Sequence, residues 1–437
     1  MKSFQFARSA KAAQSFKSCL NGEKRRNRSI MNGLWGSTMD HLEVRQLLTT
    51  YYVDNFSDDT TGSGSNGTLR WAVAQANTLA GDDTILFSST SQPQTITLTA
   101  ANGPIVIKDS SGGNLLINGL GQSNLTISGG NVTGLFLVKS PTSISNMTMT
   151  NGNGAGTLGG AKSGGAILNI SCLTLDHISI YNSSVTNGYG GAIASSYGGS
   201  DYPNDITANV SLVATNLVIS NTTSGPNSGF GGAIYSGAHN SGTSTNLILI
   251  NSCISNTYAK TGGGAINHQT GYYGGTANLL ISNVTLANTS SGMFAGGILI
   301  GASSYSNVTI DKLKADKSSS GSGGVRGGGL LYAEVEFFGA NRTFIKISNS
   351  TISNTSATNG GVFLFKGGNI VVRDTSFTNT TATNNGGLIQ IDSGNVLSPA
   401  VLNISNISVN NTTASYGGGI YVANSVVSID KMNLTNA

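Results

Sequence analysis

The residues best suited to acid–base chemistry are gathered in one heptapeptide, Asp311-Lys312-Leu313-Lys314-Ala315-Asp316-Lys317. Arg326, Glu334 and Glu336 follow closely, and Arg373-Asp374 and Asp430-Lys431 repeat the pairing of opposite charges. A polysaccharide lyase needs clustered carboxylates for Ca²⁺ and a Lys or Arg base. A glycoside hydrolase needs two carboxylates facing one cleft. Asp311, Lys312, Lys314, Asp316 and Lys317 are therefore the polar patch on which a catalytic alternative would rest, while salt-bridged turns on a solvated face are the reading favoured and no catalytic residue is expected. No aspartate pair recurs one repeat away, and charge pairs of this kind also form plain solvated turns.

The other reactive side chains are scattered. Of the four histidines, His41 lies near the N-terminus, His177 takes a position otherwise held by Asn, and His239 and His268 fall in variable loops. That pattern is not a metal-ligand set. Cys19, Cys172 and Cys253 make an odd count without a CxxC spacing, which excludes a disulfide scaffold or a zinc site. Cys172 and Cys253 read as small buried apolar residues. The Gly-rich stretch 321–329 is followed by no GK[ST] and opens no helix, so it is not a phosphate loop. No cofactor is expected.

What must position these residues is a repeat. A Gly-Gly-apolar motif begins at Gly164, Gly190, Gly231, Gly263, Gly296, Gly328, Gly360, Gly386 and Gly418, with Gly165, Gly191, Gly232, Gly264, Gly297, Gly329, Gly361, Gly387 and Gly419 completing the pairs. The spacing of 26 to 41 residues is that of stacked repeats. Each unit holds a Gly-Gly strand, a loop of variable length and a strand pair ending in Asn. Aligned on that residue, Asn182, Asn256, Asn288, Asn354, Asn379 and Asn411 form a column, and Asn436 extends it. Two residues earlier stand Ile180, Ile254, Leu286, Ile352, Phe377, Val409 and Leu434, all apolar, and earlier positions alternate with the period of two of a strand. Lys312 and Lys317 occupy the Asn positions of their own repeat. A unit this short cannot close a core alone. Stacked on copies of itself it builds apolar columns and an amide ladder. The fold class expected is all-β: a right-handed single-stranded parallel β-helix of ten to twelve rungs with an N-terminal capping helix. The many Asn-x-Ser/Thr triplets read as ladder residues rather than glycosylation acceptors.

Composition agrees. Charged residues make up 10% of the chain and Gly contributes 60 residues, far from an ordinary domain. Only six prolines occur, so the glycines belong to repeated turns and not to a collagen or linker register. No apolar run reaches the ~18 residues of a membrane helix. The net charge of +4 is local in origin: residues 1–45 carry nine basic against three acidic residues, which leaves 14 against 16 in the body. The body is therefore not expected to bind nucleic acid.

Three resemblances add to this reading. The basic run Lys24–Arg28 and the string His41-Leu-Glu-Val-Arg-Gln-Leu-Leu48 resemble the export leader of large planctomycete proteins, with Val44 where that motif has proline. Gly67–Leu79 followed by Gly81–Phe87 resembles the cap region of bacterial secreted β-helix proteins. Leu69, Ala72, Val73 and Ala76 fall at helical spacing there, with Asn66 or Thr68 placed to cap. The GGAI repeats, with a downstream strand ending in Asn, resemble the polymorphic outer membrane proteins, surface adhesins with a C-terminal membrane barrel. This resemblance implies an exported cell-surface protein, outer-membrane associated, acting in adhesion or envelope interaction without catalysis.

The division expected is a leader at 1–49, a cap with the first rungs at 50–130, and repeats at 131–437 that are open at the C-terminus. The expected partners are a glycan or another surface protein, together with a missing C-terminal anchor or partner chain. Aromatic residues in the loops (Tyr189, Tyr202, Phe230, Tyr272, Tyr273, Phe337, Phe338 and Tyr416) read first as cover for rung edges, and their concentration there is also what a binding face would show. The alternative is a carbohydrate-active β-helix enzyme built on Asp311–Lys317.

Overall fold

A computed structural model describes residues 48–108, 113–158, 160–197, 209–238, 242–270, 275–302, 305–321, 327–335, 343–393 and 399–436. The leader reading up to residue 47 lies outside them, as do Tyr202, His239, Tyr272, Tyr273, Arg326, Glu336, Phe337 and Phe338.

The chain is nearly all β, and its architecture fits a parallel β-helix. Eleven short strands, from Ile105–Ile107 to Ile420–Ala423, form one sheet in which each strand pairs in parallel with the strand one repeat away. A second sheet is built from long strands such as Ser244–Ala259, Thr276–Ser291 and Tyr305–Ser320, again parallel and in register. Such parallel pairing needs a crossover, and here the short strand of each repeat is the crossover. Backbone groups at strand level are satisfied by the repeats above and below.

The core lies between the two sheets. The apolar position of each repeat stacks as Ile180, Ile219, Ile254, Leu286, Ala315, Ile352, Phe377 and Val409. All eight are buried, and each large member stabilises the stack by about 1.5–3 kcal/mol. The short sheet contributes Ile167, Ile193, Ile234, Ile266 and Ile298 from the other side.

The single described helix, Leu69–Ala76, covers the first rungs. Thr68 caps it by accepting from the Trp71 N–H at 3.2 Å, as its spacing predicts. Leu69, Trp71, Ala72, Val73 and Ala76 face inward, with Trp71 edge-on to Tyr51. Arg70 pairs with Asp58 at 2.7 Å and donates to the Gly103 carbonyl at 2.8 Å, tying the helix to the next turn.

The frame of the glycine motif differs from the sequence reading at two repeats. Register places Ile298 beside Ile266 and Ile420 beside Ile389. The pair in frame is therefore Ala295-Gly296 in one repeat and Gly417-Gly418 in the other. Gly297 and Gly419 stand where other repeats carry Ala, Leu or Val. The physical determinant is the second residue of each pair. A Cβ at Gly165, Gly191, Gly232, Gly264, Gly296, Gly329, Gly361 or Gly387 would run into the carbonyl of the corresponding residue one rung on. The first residue has positive φ in most repeats, +66° at Gly263 for example, but neither Ala295 nor Gly328 does.

Candidate functional site

Each long strand is bent twice by a single residue in the left-handed region, five positions apart. The first bend falls at Asn146, His177, Asn216, Asn251, Asn283, Lys312, Asn349, Asp374, Asn406 and Lys431. The second falls at Asn151, Asn182, Asn221, Asn256, Asn288, Lys317, Asn354, Asn379, Asn411 and Asn436. Their φ values lie between +49° and +59°, a region that Asn enters at least cost. All six Asn residues expected to form the ladder stand at the second bend. The structure adds Asn151 and Asn221 to that column and a whole parallel column beside it. The string Ile219-Ser-Asn221-Thr222 carries the same signal as the other repeats.

Side-chain amides link the bends along the stack. Asn283 donates to Asn251 at 2.8 Å, Asn288 to Asn256 at 3.1 Å, Asn379 to Asn354 at 3.0 Å and Asn411 to Asn379 at 2.9 Å. Lys has no acceptor to take the role that an amide oxygen fills here, and His offers at most one ring nitrogen. At His177, Lys312 and Lys317 the preceding residue is Asp, and its carboxylate receives the amide instead. Asn349 donates to Asp311 at 2.6 Å, Asn354 to Asp316 at 2.7 Å and Asn216 to Asp176 at 3.1 Å. Asp374 sits at a bend itself and accepts from Asn406 at 2.8 Å.

The proposed catalytic patch resolves into this pattern. Leu313 and Ala315 point into the core, and Lys312, Lys314 and Lys317 are exposed on one rung. Ser348 donates to Asp311 at 2.9 Å and Ser353 to Asp316 at 2.7 Å, so both carboxylates hold two hydrogen bonds from the next rung. The bonds from Ser353 and Asn354 lower the pKa of Asp316 below its ordinary value. His177 likewise pairs with its neighbour Asp176 at 3.0 Å.

A groove of about 540 Å³ runs along the first line of bends beyond this patch, past Asn349, Thr351, Asp374, Ser376, Asn406, Ser408 and Asn433. Asp374 is its one carboxylate, and Arg373 Nη1 donates to it at 3.0 Å. Past the second line of bends, eight consecutive rungs place a hydroxyl at one position: Ser184, Thr223, Tyr258, Ser290, Ser319, Ser356, Thr381 and Thr413. The face is flat, polar and almost free of charge.

The opposite face, outside the short strands, is different. Ala194, Tyr235, Asn267, Leu299, Tyr332 and Leu364 stack there in register. Phe230 and Phe294 cover them, with Tyr189 stacked on Phe230 at 6.0 Å and Phe294 on Tyr332 at 5.5 Å. Tyr189 and Phe230, read as loop aromatics, serve here as cover for the strands, whereas Tyr416 is exposed.

Two further readings are corrected. His268 is not in a loop: it lies in the strand Ile266–Thr270, faces inward and is wholly buried. Burial pushes its pKa from 6.5 down to about 4. Cys172 and Cys253 are half-buried rather than core residues, and burial raises the Cys253 thiol pKa. Among the described residues no three His, Cys, Asp or Glu side chains converge as a metal site. No helix there is long and apolar enough to cross a membrane.

No family model and no curated protein sequence matches the chain. It is similar, at 13% identity and a TM-score of 0.26, to the structure titled "Crystal structure of Agl-KA catalytic domain". The match covers 84% of this chain, which spans 64% of the length of that one. A superposition that loose does not establish a common fold.

Proposed function

We propose that this chain is an exported cell-surface β-helix protein that acts by binding, in adhesion or envelope interaction, and not by catalysis. The observation that carries the reading is the fate of Asp311 and Asp316. Each accepts an amide and a hydroxyl hydrogen bond from the neighbouring rung, as structural acceptors do. Hydrogen bonds donated to a carboxylate favour its ionised form, which works against a general-acid role at Asp316, whose pKa they lower. The flat hydroxyl face and the aromatic-covered face offer contact surface without clustered ionisable groups.

The finer architecture belongs to the same proposal. The rod is right-handed, as the crossover rule favours, and has ten to twelve rungs, in line with the eleven short strands. Residues 1–49 are an export leader, 50–130 the cap and first rungs, and 131–437 the repeats. The ligand class is a glycan or another surface protein.

The test is a glycan array run with a reducing-sugar assay on the full chain, with and without Ca²⁺. Binding without sugar release is the expected outcome. Release of reducing ends would overturn the reading in favour of a polysaccharide lyase or glycoside hydrolase.

A further inference from the structure

We infer that the outer face of the short-strand sheet holds a closed site for a neutral sugar, read by the amide of Asn267 and the hydroxyl of Ser196. The inference rests on the surface-recognition reading above. It places the contact on the face opposite the ladders.

Asn267 is wholly buried, and neither Nδ2 nor Oδ1 has a hydrogen-bond partner. Ser196 is wholly buried too, and its Oγ has no partner. Both lie on the side of the sheet away from the core. Asn267 is in register with Tyr235 on one rung and Leu299 on the other, and these belong to the two apolar clusters outside the helix. Ser196 is in register with Gly237, and Gly237 with Gln269. The two unpaired groups therefore flank Tyr235 and a position without a side chain, separated by two rungs, or roughly 10 Å. Native proteins seldom leave a buried amide unmatched at both ends. The column is otherwise one of packing, since Leu299 and Leu364 show that an apolar residue fits it.

The chemistry selects the ligand. A primary amide presents a donor and an acceptor side by side, which suits two adjacent hydroxyls. Tyr189, Phe230 and Tyr235 form a ring cluster, with Tyr189 and Tyr235 at 4.6 Å, and aromatic faces suit the C–H face of a pyranose. Gln269 Nε2 donates to Tyr235 Oη at 2.6 Å and orients that ring. The strand residues facing out around Asn267 are neutral. Glu334, two rungs beyond Gln269, pairs with Lys366 at 3.9 Å. A neutral sugar fits this better than a uronate or a phosphate. Phe230 packs against both apolar clusters, so its ring must swing aside to admit the ligand.

The experiment uses the full chain on an array of neutral glycans, followed by calorimetric titration of the best binder. Wild type is compared with Asn267→Leu and Ser196→Ala. Asn267→Leu is expected to melt at or above the wild-type temperature and to lose affinity by on the order of tenfold or more. Ser196→Ala, which removes one hydroxyl and tests the site even if the leucine variant does not fold, is expected to weaken binding about threefold or more. Affinity within about twofold of wild type in the folded variants would assign the two groups to bound water and overturn the site while leaving the binding reading intact. Absence of any neutral glycan bound by wild type would overturn the site and leave a surface protein as the ligand of the binding reading.

Discussion

Asn349 Nδ2 donates to Asp311 Oδ1 at 2.6 Å, although the residue at the matching bend of that rung is Lys312. The carboxylate one position upstream stands in for the missing amide. Asp176-His177 and Asp316-Lys317 repeat the arrangement with Asn216 and Asn354, and Asp430-Lys431 has the same sequence form. An acidic residue before a Lys or His bend is thus a splice in the ladder.

Replacing that acceptor exposes its role. Asp311→Ala is expected to cost about 1–2 kcal/mol, because two donors of the next rung lose their partner. Lys312→Asn is expected to stabilise by about 0.5–1 kcal/mol, since the left-handed bend suits Asn better. Urea melts of the two variants check the pair of signs. Equal and negligible effects would remove the ladder role.

The glycine column predicts intolerance of a single methyl. Gly264→Ala drives Cβ into the Gly296 carbonyl, a backbone atom that cannot swing away. The expected loss is on the order of 2 kcal/mol or more, seen as a lower melting temperature or loss of soluble protein. A melting temperature equal to wild type would show that the rungs can part more easily than this packing implies.

Acid should weaken the stack through His268. Its folded pKa of about 4 lies below the ordinary 6.5, so the unfolded chain takes up the proton first. Stability is full above about pH 6.5 and falls as pH drops towards about 4, by up to about 3 kcal/mol from this group. His268→Ile, which copies Ile300 one rung on, should flatten that window in melts at pH 7, 5 and 4. An unchanged slope would assign the acid sensitivity elsewhere. Asp316, whose pKa is lowered, acts in a separate window: its stabilisation is present above its ordinary 3.8 and is lost as pH falls further.

At the other end of the rod, Thr68→Ala removes the cap of the helix Leu69–Ala76. A loss of about 1 kcal/mol is expected, with faster amide exchange at Trp71 as the local sign. Unchanged exchange there would mean that burial of Leu69 and Trp71 alone holds the helix.

Much of the fold was legible because stacking turns one residue's environment into a column. Ile254, Leu286 and Ile352 show their period of two, and Asn256, Asn288 and Asn354 mark the bend, before any pairing is known. The register was less legible. In Gly417-Gly418-Gly419 nothing local says which glycine meets the next rung. At Ala295-Gly296-Gly297 the alanine breaks the visible pair. Asp311 and Asp316 looked like spare acids because the donors that occupy them, Asn349 and Asn354, come from a rung more than thirty residues later. His268 followed a strand of expected length and was read as loop, yet the strand runs on to Thr270. Asn267 lies on the same strand. Its burial under Phe230 and Phe294 depends on a second layer that alternation alone does not reveal.

The glycine column also bears on how such a chain can change its length. From Gly165 to Gly418 each rung meets the next through the same contact, a glycine against a carbonyl, whatever the loop between them does. A duplication or deletion that runs from one pair to the corresponding pair restores that contact at the new junction. A shift of one residue destroys it. Whole rungs are therefore the unit in which this rod can be lengthened, shortened or recombined, and its loops can diverge without disturbing the count.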